Sequence, residues 1–134
     1  QQDEPEDFVI ATGNQISVRD FINLSCEELG IQIEFVGNGD SECGIVKDFD
    51  KNLSPKLKKG VEIVKVDKKY FRPSEVETLL GDPSKAKEKL GWEPNISVDM
   101  LCKEMIEEDY KKAKQNLLLK KHGYEIFNSL EDNG

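Results

Sequence analysis

Hydrophobic residues recur at helical spacing early in the chain and alternate with polar residues directly afterwards. Ser17 followed by Asp20 is an approximate capping box, which predicts that a helix begins there and stops at Gly30. The apolar stripe of this helix consists of Val18, Phe21, Ile22, Cys26 and Leu29. The alternation that follows predicts a half-buried strand ending at Gly37, with inward positions at Ile31, Ile33 and Phe35.

Four other segments before the last third of the chain carry weaker patterns. Residues 8–12 form a short apolar run, which predicts a buried strand. Residues 40–60 show no clean period and are predicted to form a loop or an irregular excursion. A further strand is predicted from the spacing of Val61, Ile63 and Val66. The segment after Pro73 predicts a brief helix that ends at Gly81.

Two helices are predicted in the last third. Asp82 as N-cap and Pro83 at the first helical position predict a short helix capped by Gly91. Ser97 opens the longest helix, and the tail from Leu117 is predicted to be a helix that depends on a partner. One face of the long helix carries Val98, Leu101, Cys102, Met105, Ile106, Tyr110 and Ala113.

These elements indicate the α/β class, with short strands and helices in one domain over residues 1–134. The strands are too few for an independent doubly wound sheet, so the chain is predicted to be part of a larger α/β protein. Its start at Gln1 without an initiator methionine supports that expectation.

Composition narrows the class of partner. A net charge of −8 argues against a general nucleic-acid binder, although a few arginines in one pocket can still bind an anionic small molecule. The three cysteines (Cys26, Cys43 and Cys102) lack metal-ligand spacing, which favours reduced thiols in a cytoplasmic protein and no metal site. No apolar run approaches the roughly 20 residues that a membrane-spanning helix requires.

Three patterns resemble catalytic or cofactor-binding motifs, but their sequence context does not support those roles. Tyr110 and Lys114 match Tyr-x-x-x-Lys, yet Tyr110 continues the apolar face of a lysine-rich helix. Gly37-x-Gly39 follows a strand as a dinucleotide-binding loop would, but no helical pattern follows it. His122 is the only histidine and has no partner at motif spacing. The chain therefore holds no complete catalytic constellation.

One long stretch resembles a known family. Residues 70–81 read Tyr-Phe-Arg-Pro-Ser-Glu-Val-Glu-Thr-Leu-Leu-Gly, and residues 82–86 continue Asp-Pro-Ser-Lys-Ala, followed at residues 90–94 by Leu-Gly-Trp-Glu-Pro. The second part resembles extended short-chain dehydrogenases that act on nucleotide sugars. The first part, together with Asp-Phe-Val-Ile-Ala-Thr-Gly at residues 7–13, resembles the GDP-mannose 4,6-dehydratase family. Leu-Leu-Lys-Lys-His-Gly-Tyr at residues 118–124 resembles the tail of its bacterial members.

The resemblance implies a two-part enzyme of which this chain is the carboxyl-terminal, substrate-binding portion. An amino-terminal Rossmann domain would bind NADP and carry every catalytic residue, so no catalytic or cofactor-binding role falls on this chain. The reaction would convert GDP-mannose to GDP-4-keto-6-deoxymannose, with a hydride taken from C4 and returned at C6. The family also implies a dimer or tetramer, and predicts that this segment alone is inactive.

The resemblance carries three substrate-binding residues over to this sequence. Arg72 corresponds to an arginine expected to contact the diphosphate, because a guanidinium fork suits paired phosphate oxygens. Glu75 corresponds to an acid expected to accept hydrogen bonds from the ribose diol. Arg19 is a second phosphate candidate. Two structural alternatives stay open: Arg72 and Glu75 pair with each other, or Arg19 is a solvated helix residue.

Two other functions remain alternatives at this point. The chain could be a non-catalytic module that binds a nucleotide sugar. The whole protein could also be a related epimerase or reductase acting on a different nucleotide sugar. The sequence Phe-Arg-Pro-Ser-Glu-Val at residues 71–76 argues against the second alternative, because it resembles the dehydratases specifically.

Overall fold

The computed structural model describes residues 3–72 and 78–125. Their elements follow in the order α1 (Val18–Glu28), β1 (Ile31–Val36), a 3-10 turn (Gly39–Ser41), β2 (Cys43–Phe49), β3 (Glu62–Lys65), α2 (Ser84–Leu90) and α3 (Val98–Lys121). Helices thus accompany a small sheet, which confirms the α/β class.

The sheet has three antiparallel strands in the order β1-β2-β3. Its central strand, β2, lies within residues 40–60, so the prediction of a loop or irregular excursion was wrong for residues 43–49 and right for residues 50–60. The alternation in β2 is hidden because the inward position Gly44 has no side chain and the register shifts between Gly44 and Ile45. Gly44 suits this position, since a Cβ here would lie 3.1 Å from the Cβ of Val64, a tight contact.

The core lies where α1 packs against the sheet. Cys26 of α1, Ile31 of β1 and Val46 of β2 form a buried cluster in which Val46 is only 1% exposed. Partly buried side chains surround it, namely Ile22, Leu29, Ile33, Phe49 and Leu57. Burying each of these apolar side chains stabilises the fold, by roughly 1.5–3 kcal/mol where burial is complete.

Helix α1 begins at the predicted capping box. The Asp20 backbone N–H donates to the Ser17 hydroxyl at 3.1 Å, and the Ser17 N–H donates to Oδ2 of Asp20 at 3.0 Å. The Ser17 hydroxyl and N–H lower the pKa of the Asp20 carboxyl. Val18, however, is exposed and does not join the predicted apolar stripe. Both ends of α1 match the prediction, because Gly30 follows the helix with a φ of +68°.

Helix α3 crosses α1 through a narrow contact. Cys102, only 1% exposed, has its Sγ 3.3 Å from Oγ of Ser25 in α1. Ser97 caps the helix as predicted, by accepting from the Met100 N–H at 3.3 Å. Most of the predicted apolar face nevertheless stays exposed in this structure, including Leu101, Met105 and Tyr110. The helix also continues through Leu117–Leu119, whose side chains are exposed.

The predicted strand at residues 8–12 was wrong, because these residues pair with no strand in the described part of the chain. They lie instead beside residues 79–82, where a Cβ on Gly81 would be 2.7 Å from the Cβ of Ala11. The start of the chain is also tied to α2. Lys85 donates to the Asp7 carbonyl at 2.9 Å, and Lys89 pairs with Glu6 at 2.6 Å.

The region between β3 and α2 departs from prediction in two ways. The brief helix predicted after Pro73 falls mostly outside the described residues, and Thr78–Leu80 are not helical. Helix α2 begins at Ser84 rather than at Pro83. Asp82 still satisfies the helix start, since its Oδ1 accepts the Ser84 N–H at 2.9 Å, and Gly91 ends the helix in the left-handed conformation.

The described residues bury little and leave much apolar surface open. The buried hydrophobic residues are Cys26, Ile31, Val46, Ala86 and Cys102. Large exposed side chains occur along the start of the chain, before α2, and just before and on α3, including Val9, Ile10, Leu79, Leu80, Ile96 and Met100. Among the helices described, none combines the length and hydropathy needed to cross a bilayer.

Gly81→Ala tests the contact between the start of the chain and the segment before α2. The added methyl would meet the Ala11 Cβ at 2.7 Å and Cγ1 of Val9 at 3.2 Å. Since neither atom is the end of a flexible side chain, we expect the substitution to lower the free energy of unfolding by about 1–3 kcal/mol. Urea denaturation of the full-length protein measures the change in the free energy of unfolding.

A second substitution serves as the control for this steric argument. Ala11→Gly removes the methyl that would clash, so it should restore part of the stability lost in Gly81→Ala. Equal destabilisation with and without Ala11→Gly would show that the contact between these two positions is not the cause.

Candidate functional site

A groove of about 680 Å³ lies between the start of α1, the edge of the sheet and the segment that follows β3. Its floor is apolar, with Ile22, Phe35 and Val64 among its lining residues. Its rim includes Arg19 and Arg72, so two of the three sequence-predicted site residues line one cavity. A concave apolar surface with a few polar groups at its edge is typical of small-molecule sites.

Arg19 is held in this groove by a carboxylate that sequence reasoning missed. Its Nε donates to Oε1 of Glu42 at 2.6 Å, and its Nη2 donates to Oε2 at 2.9 Å. The hydrogen bonds to Glu42 raise the pKa of Arg19, and the same bonds lower the pKa of the Glu42 carboxyl. Arg19 is therefore an ion-paired residue rather than a freely solvated one.

The Glu42 pair leaves Arg19 able to bind a further anion. A guanidinium carries five N–H donors, of which this geometry uses one on Nε and one on Nη2. Of the three donors that remain, two are on Nη1 and one is on Nη2. Because the Arg19 side chain is 60% exposed, these donors lie within reach of a ligand in the groove.

Arg72 also lines the groove, directly after the aromatic residues Tyr70 and Phe71. A turn positions this segment, since the Tyr70 N–H donates to the Asp67 carbonyl at 3.0 Å. Arg72 is exposed. Glu75 lies outside the described residues, so its predicted position on one side with Arg72 remains a prediction.

Cys43, the first residue of β2, also lines the groove. Burial, followed by the nearby Glu62 carboxylate, raises the pKa of its thiol. Neither Glu42 nor Cys43 could be found from the sequence pattern, because both fall in the stretch predicted to be a loop. The alternation of Cys43 and Ile45 with the buried positions Gly44 and Val46 becomes visible only in the paired strand.

The described residues do not fit a dinucleotide cofactor. Gly37 and Gly39 lead into a 3-10 turn and then β2, whereas a dinucleotide loop opens a helix whose first N–H groups hold the phosphates. The Tyr110 hydroxyl points to the Leu53 carbonyl at 3.4 Å, while Nζ of Lys114 lies 4.0 Å from the Tyr110 ring centroid. This pair lacks the arrangement in which the lysine acts on the hydroxyl.

Metal-ligand geometry is also missing from the described part of the chain, in which no three His, Cys, Asp or Glu side chains gather around one point. The fold and the groove together define a small α/β module in which two arginines line one groove. Comparison with known proteins gives this module a family.

A family model described as GDP-mannose 4,6 dehydratase matches residues 1–105. The chain is 56% identical over 131 residues to a GDP-mannose 4,6-dehydratase of Vibrio cholerae, and 54% identical over 131 residues to one of Yersinia enterocolitica. Each of these matches covers 98% of the chain and 35% of the relative. A human GDP-mannose 4,6 dehydratase is 42% identical over 116 residues, which are 87% of the chain and 28% of the relative.

The chain belongs to the GDP-mannose 4,6-dehydratase family, and the resemblance seen in the sequence is confirmed. It spans about 35% of the length of the bacterial relatives and corresponds to their carboxyl-terminal part. These comparisons assign no role to Arg19, Arg72 or Glu75.

The different burial of the three cysteines predicts the order in which they react. Cys26 and Cys102 are buried, whereas Cys43 is partly exposed in the groove, so an alkylating agent should modify Cys43 first. Because the thiolate is the reactive form and the pKa of Cys43 is raised, the rate at neutral pH should be below that of an ordinary thiol and rise as pH increases. Peptide mass spectrometry after timed iodoacetamide treatment measures it.

The same experiment reports on occupancy of the groove. GDP should slow the alkylation of Cys43, while guanosine at equal concentration should not, if phosphates are held between the two arginines. Faster labelling of Cys26 or Cys102 than of Cys43 would contradict the burial seen in the structure.

Proposed function

We propose that the longer protein containing this chain converts GDP-mannose to GDP-4-keto-6-deoxymannose, and that this segment holds the GDP moiety. The observation that carries the second part is the convergence of Arg19 and Arg72 on one groove. Family membership supports the first part, because the relatives are named GDP-mannose 4,6-dehydratases. The function is thus that of a lyase acting on a nucleotide sugar.

The diphosphate is the natural ligand for the two arginines. Guanidinium groups bind phosphate oxygens through parallel, charge-assisted N–H bonds, which gives both affinity and orientation. In the proposed arrangement Arg72 binds the diphosphate, and Arg19 binds it through the donors that Glu42 leaves free. Glu75 accepts hydrogen bonds from the ribose diol, as the resemblance implies.

The groove walls suit the rest of such a ligand. Phe71 and Tyr70 present exposed aromatic surface beside Arg72, and Phe35 and Val64 give the floor an apolar character. A nucleotide sugar carries both a flat base and charged phosphates, so it needs both kinds of surface. A purely ionic ligand would leave the apolar floor in contact with water.

NADP and the catalytic residues are proposed to belong to the remainder of the protein, in an amino-terminal Rossmann-type domain. The described residues offer no glycine-rich turn opening a helix, and their Tyr110 and Lys114 are not arranged as a base. In this division, the present segment binds and orients the substrate. We further propose that the full protein is a dimer or tetramer.

The small core supports this division of labour. Few side chains of the described residues are buried, and Val9, Ile10, Leu79 and Leu80 expose apolar surface near the start of the chain and before α2. Apolar surface of this kind needs cover in a stable protein. We propose that the amino-terminal domain covers it.

The first test compares wild type with Arg72→Ala in the full-length protein, by measuring formation of the dehydrated product from GDP-mannose. Loss of a charge-assisted phosphate contact should raise KM by about 10- to 100-fold, with a smaller effect on kcat. Lys59→Ala is the matched control, since Lys59 pairs with Asp48 and does not line the groove.

Each result decides a different part of the proposal. If Arg72→Ala leaves dehydration unaffected, the proposed reaction is retained, but Arg72 does not bind the diphosphate. Product analysis that shows only an epimerised or reduced sugar would replace the dehydratase by a related nucleotide-sugar enzyme.

The isolated chain provides a further test. It should show no GDP-mannose turnover even with added NADP, because the described residues hold neither a cofactor loop nor a catalytic pair. Turnover by the purified 134-residue chain would contradict the proposed division between a substrate-binding segment and a catalytic amino-terminal domain. Mixing it with a separately produced amino-terminal part, and measuring whether activity returns, would show which part is missing.

A further inference from the structure

The carboxylate of Glu42 is the least expected group in the groove. Glu42 and Arg19 are 23 residues apart, yet they meet through two short hydrogen bonds in side-on geometry. The Glu42 side chain is 16% exposed, whereas that of Arg19 is 60% exposed. The acid is therefore the more buried partner of this pair, and the arginine is the more exposed one.

The backbone around Glu42 is fixed on both sides. Its N–H donates to the Gly39 carbonyl at 3.3 Å, and its own carbonyl accepts the Val66 N–H at 3.3 Å. The turn before it requires Gly37, whose φ is +86° and whose added Cβ would collide with the Ser41 carbonyl. Glu42 is thus placed by the turn and by the end of β3, independently of Arg19.

Arg19 has no such constraint of its own. It is the second residue of α1, and a long arginine side chain on an exposed first turn can adopt many rotamers. The side-on pair with Glu42 fixes both the direction of the side chain and the plane of the guanidinium group. The donors on the Nη1 side are then held in one orientation at the rim of the groove.

We propose that Glu42 is a positioning residue that pre-orients Arg19 for the diphosphate, an inference that rests on the proposed function. Glu42 itself does not contact the ligand in this arrangement. Its effect comes through Arg19, whose rotamer freedom is lost before the ligand arrives rather than on binding.

A negative charge near a phosphate also has an opposing effect. The Glu42 carboxylate repels the diphosphate, so removing its charge favours binding by electrostatics alone. That repulsion is weakened because the pair borders solvent, which screens exposed charges. The orientation of the hydrogen-bond donors is not screened, so we expect loss of positioning to outweigh relief of repulsion.

The test measures the affinity of the full-length protein for GDP by isothermal titration calorimetry, with wild type, Glu42→Gln, Arg19→Ala and the double variant. Glu42→Gln should weaken GDP binding about three- to tenfold, because glutamine has one acceptor oxygen where the carboxylate has two. Binding of guanosine, which has no phosphates, should stay unchanged. In turnover, KM should rise while kcat remains near the wild-type value.

Coupling between the two residues separates positioning from a general structural effect. In the Arg19→Ala background, Glu42→Gln should cause no further loss of GDP affinity. Glu93→Gln is the matched control, because Glu93 forms a similar 2.6 Å pair with Lys87 and does not line the groove. Thermal unfolding of each variant shows whether the fold is retained.

The outcomes distinguish this inference from the proposed function. Unchanged GDP binding in Arg19→Ala would remove Arg19 from the site, and the proposed phosphate contact with it. Weaker binding in Arg19→Ala, combined with equal or tighter binding in Glu42→Gln, would overturn the positioning role and leave the phosphate contact intact. Additive losses in the double variant would also overturn it, because Glu42 would then act without Arg19.

Discussion

The packing of α1 against the sheet is the constraint on which the groove depends. Cys26, Ile31 and Val46 bring one helix and two strands together in the buried cluster at the centre of that packing. Because α1 is docked there, its first turn lies over the start of β2. Arg19 and Glu42 meet as a consequence, although nothing in their local sequences links them. The apolar cluster thus determines the geometry of a polar site at the other end of the helix.

This core is small for the surface it supports. The start of the chain and the segment before α2 contact each other through a glycine, Gly81, and through lysine contacts from α2. Exposed ion pairs of this kind contribute little to stability. The relatives are nearly three times as long as the part that this chain covers, since the match spans 35% of them. Val9, Ile10 and the leucines before α2 form the exposed apolar surface for which we propose cover by a neighbouring domain.

The elements that sequence reasoning predicted correctly are those with strong local signals. Ser17 with Asp20, Gly30, Gly91 and Ser97 mark helix ends through contacts within a few residues, and such contacts are readable from the chain. Strand β2 was missed because its signal depends on pairing: Gly44 is an inward position only when Val64 lies opposite. The strand predicted at residues 8–12 was wrong for the converse reason, since an apolar run forms a strand only where another strand pairs with it. Family resemblance made Arg19 and Arg72 candidates, whereas only the fold could reveal the contact of Glu42 with Arg19.

The charges around the groove are compatible with the anion binding that we propose for an acidic chain. Arg19, Lys65 and Arg72 line it together with Glu42 and Asp67, which gives the groove a net charge of +1 in a chain of −8. The net charge of this chain does not attract a diphosphate over long distances. In the proposed site, affinity comes from short, directed hydrogen bonds whose donors are already in place. A site of this kind gains more from the orientation of each arginine than from the number of its cations, which makes an acid such as Glu42 useful beside a phosphate rather than harmful to it.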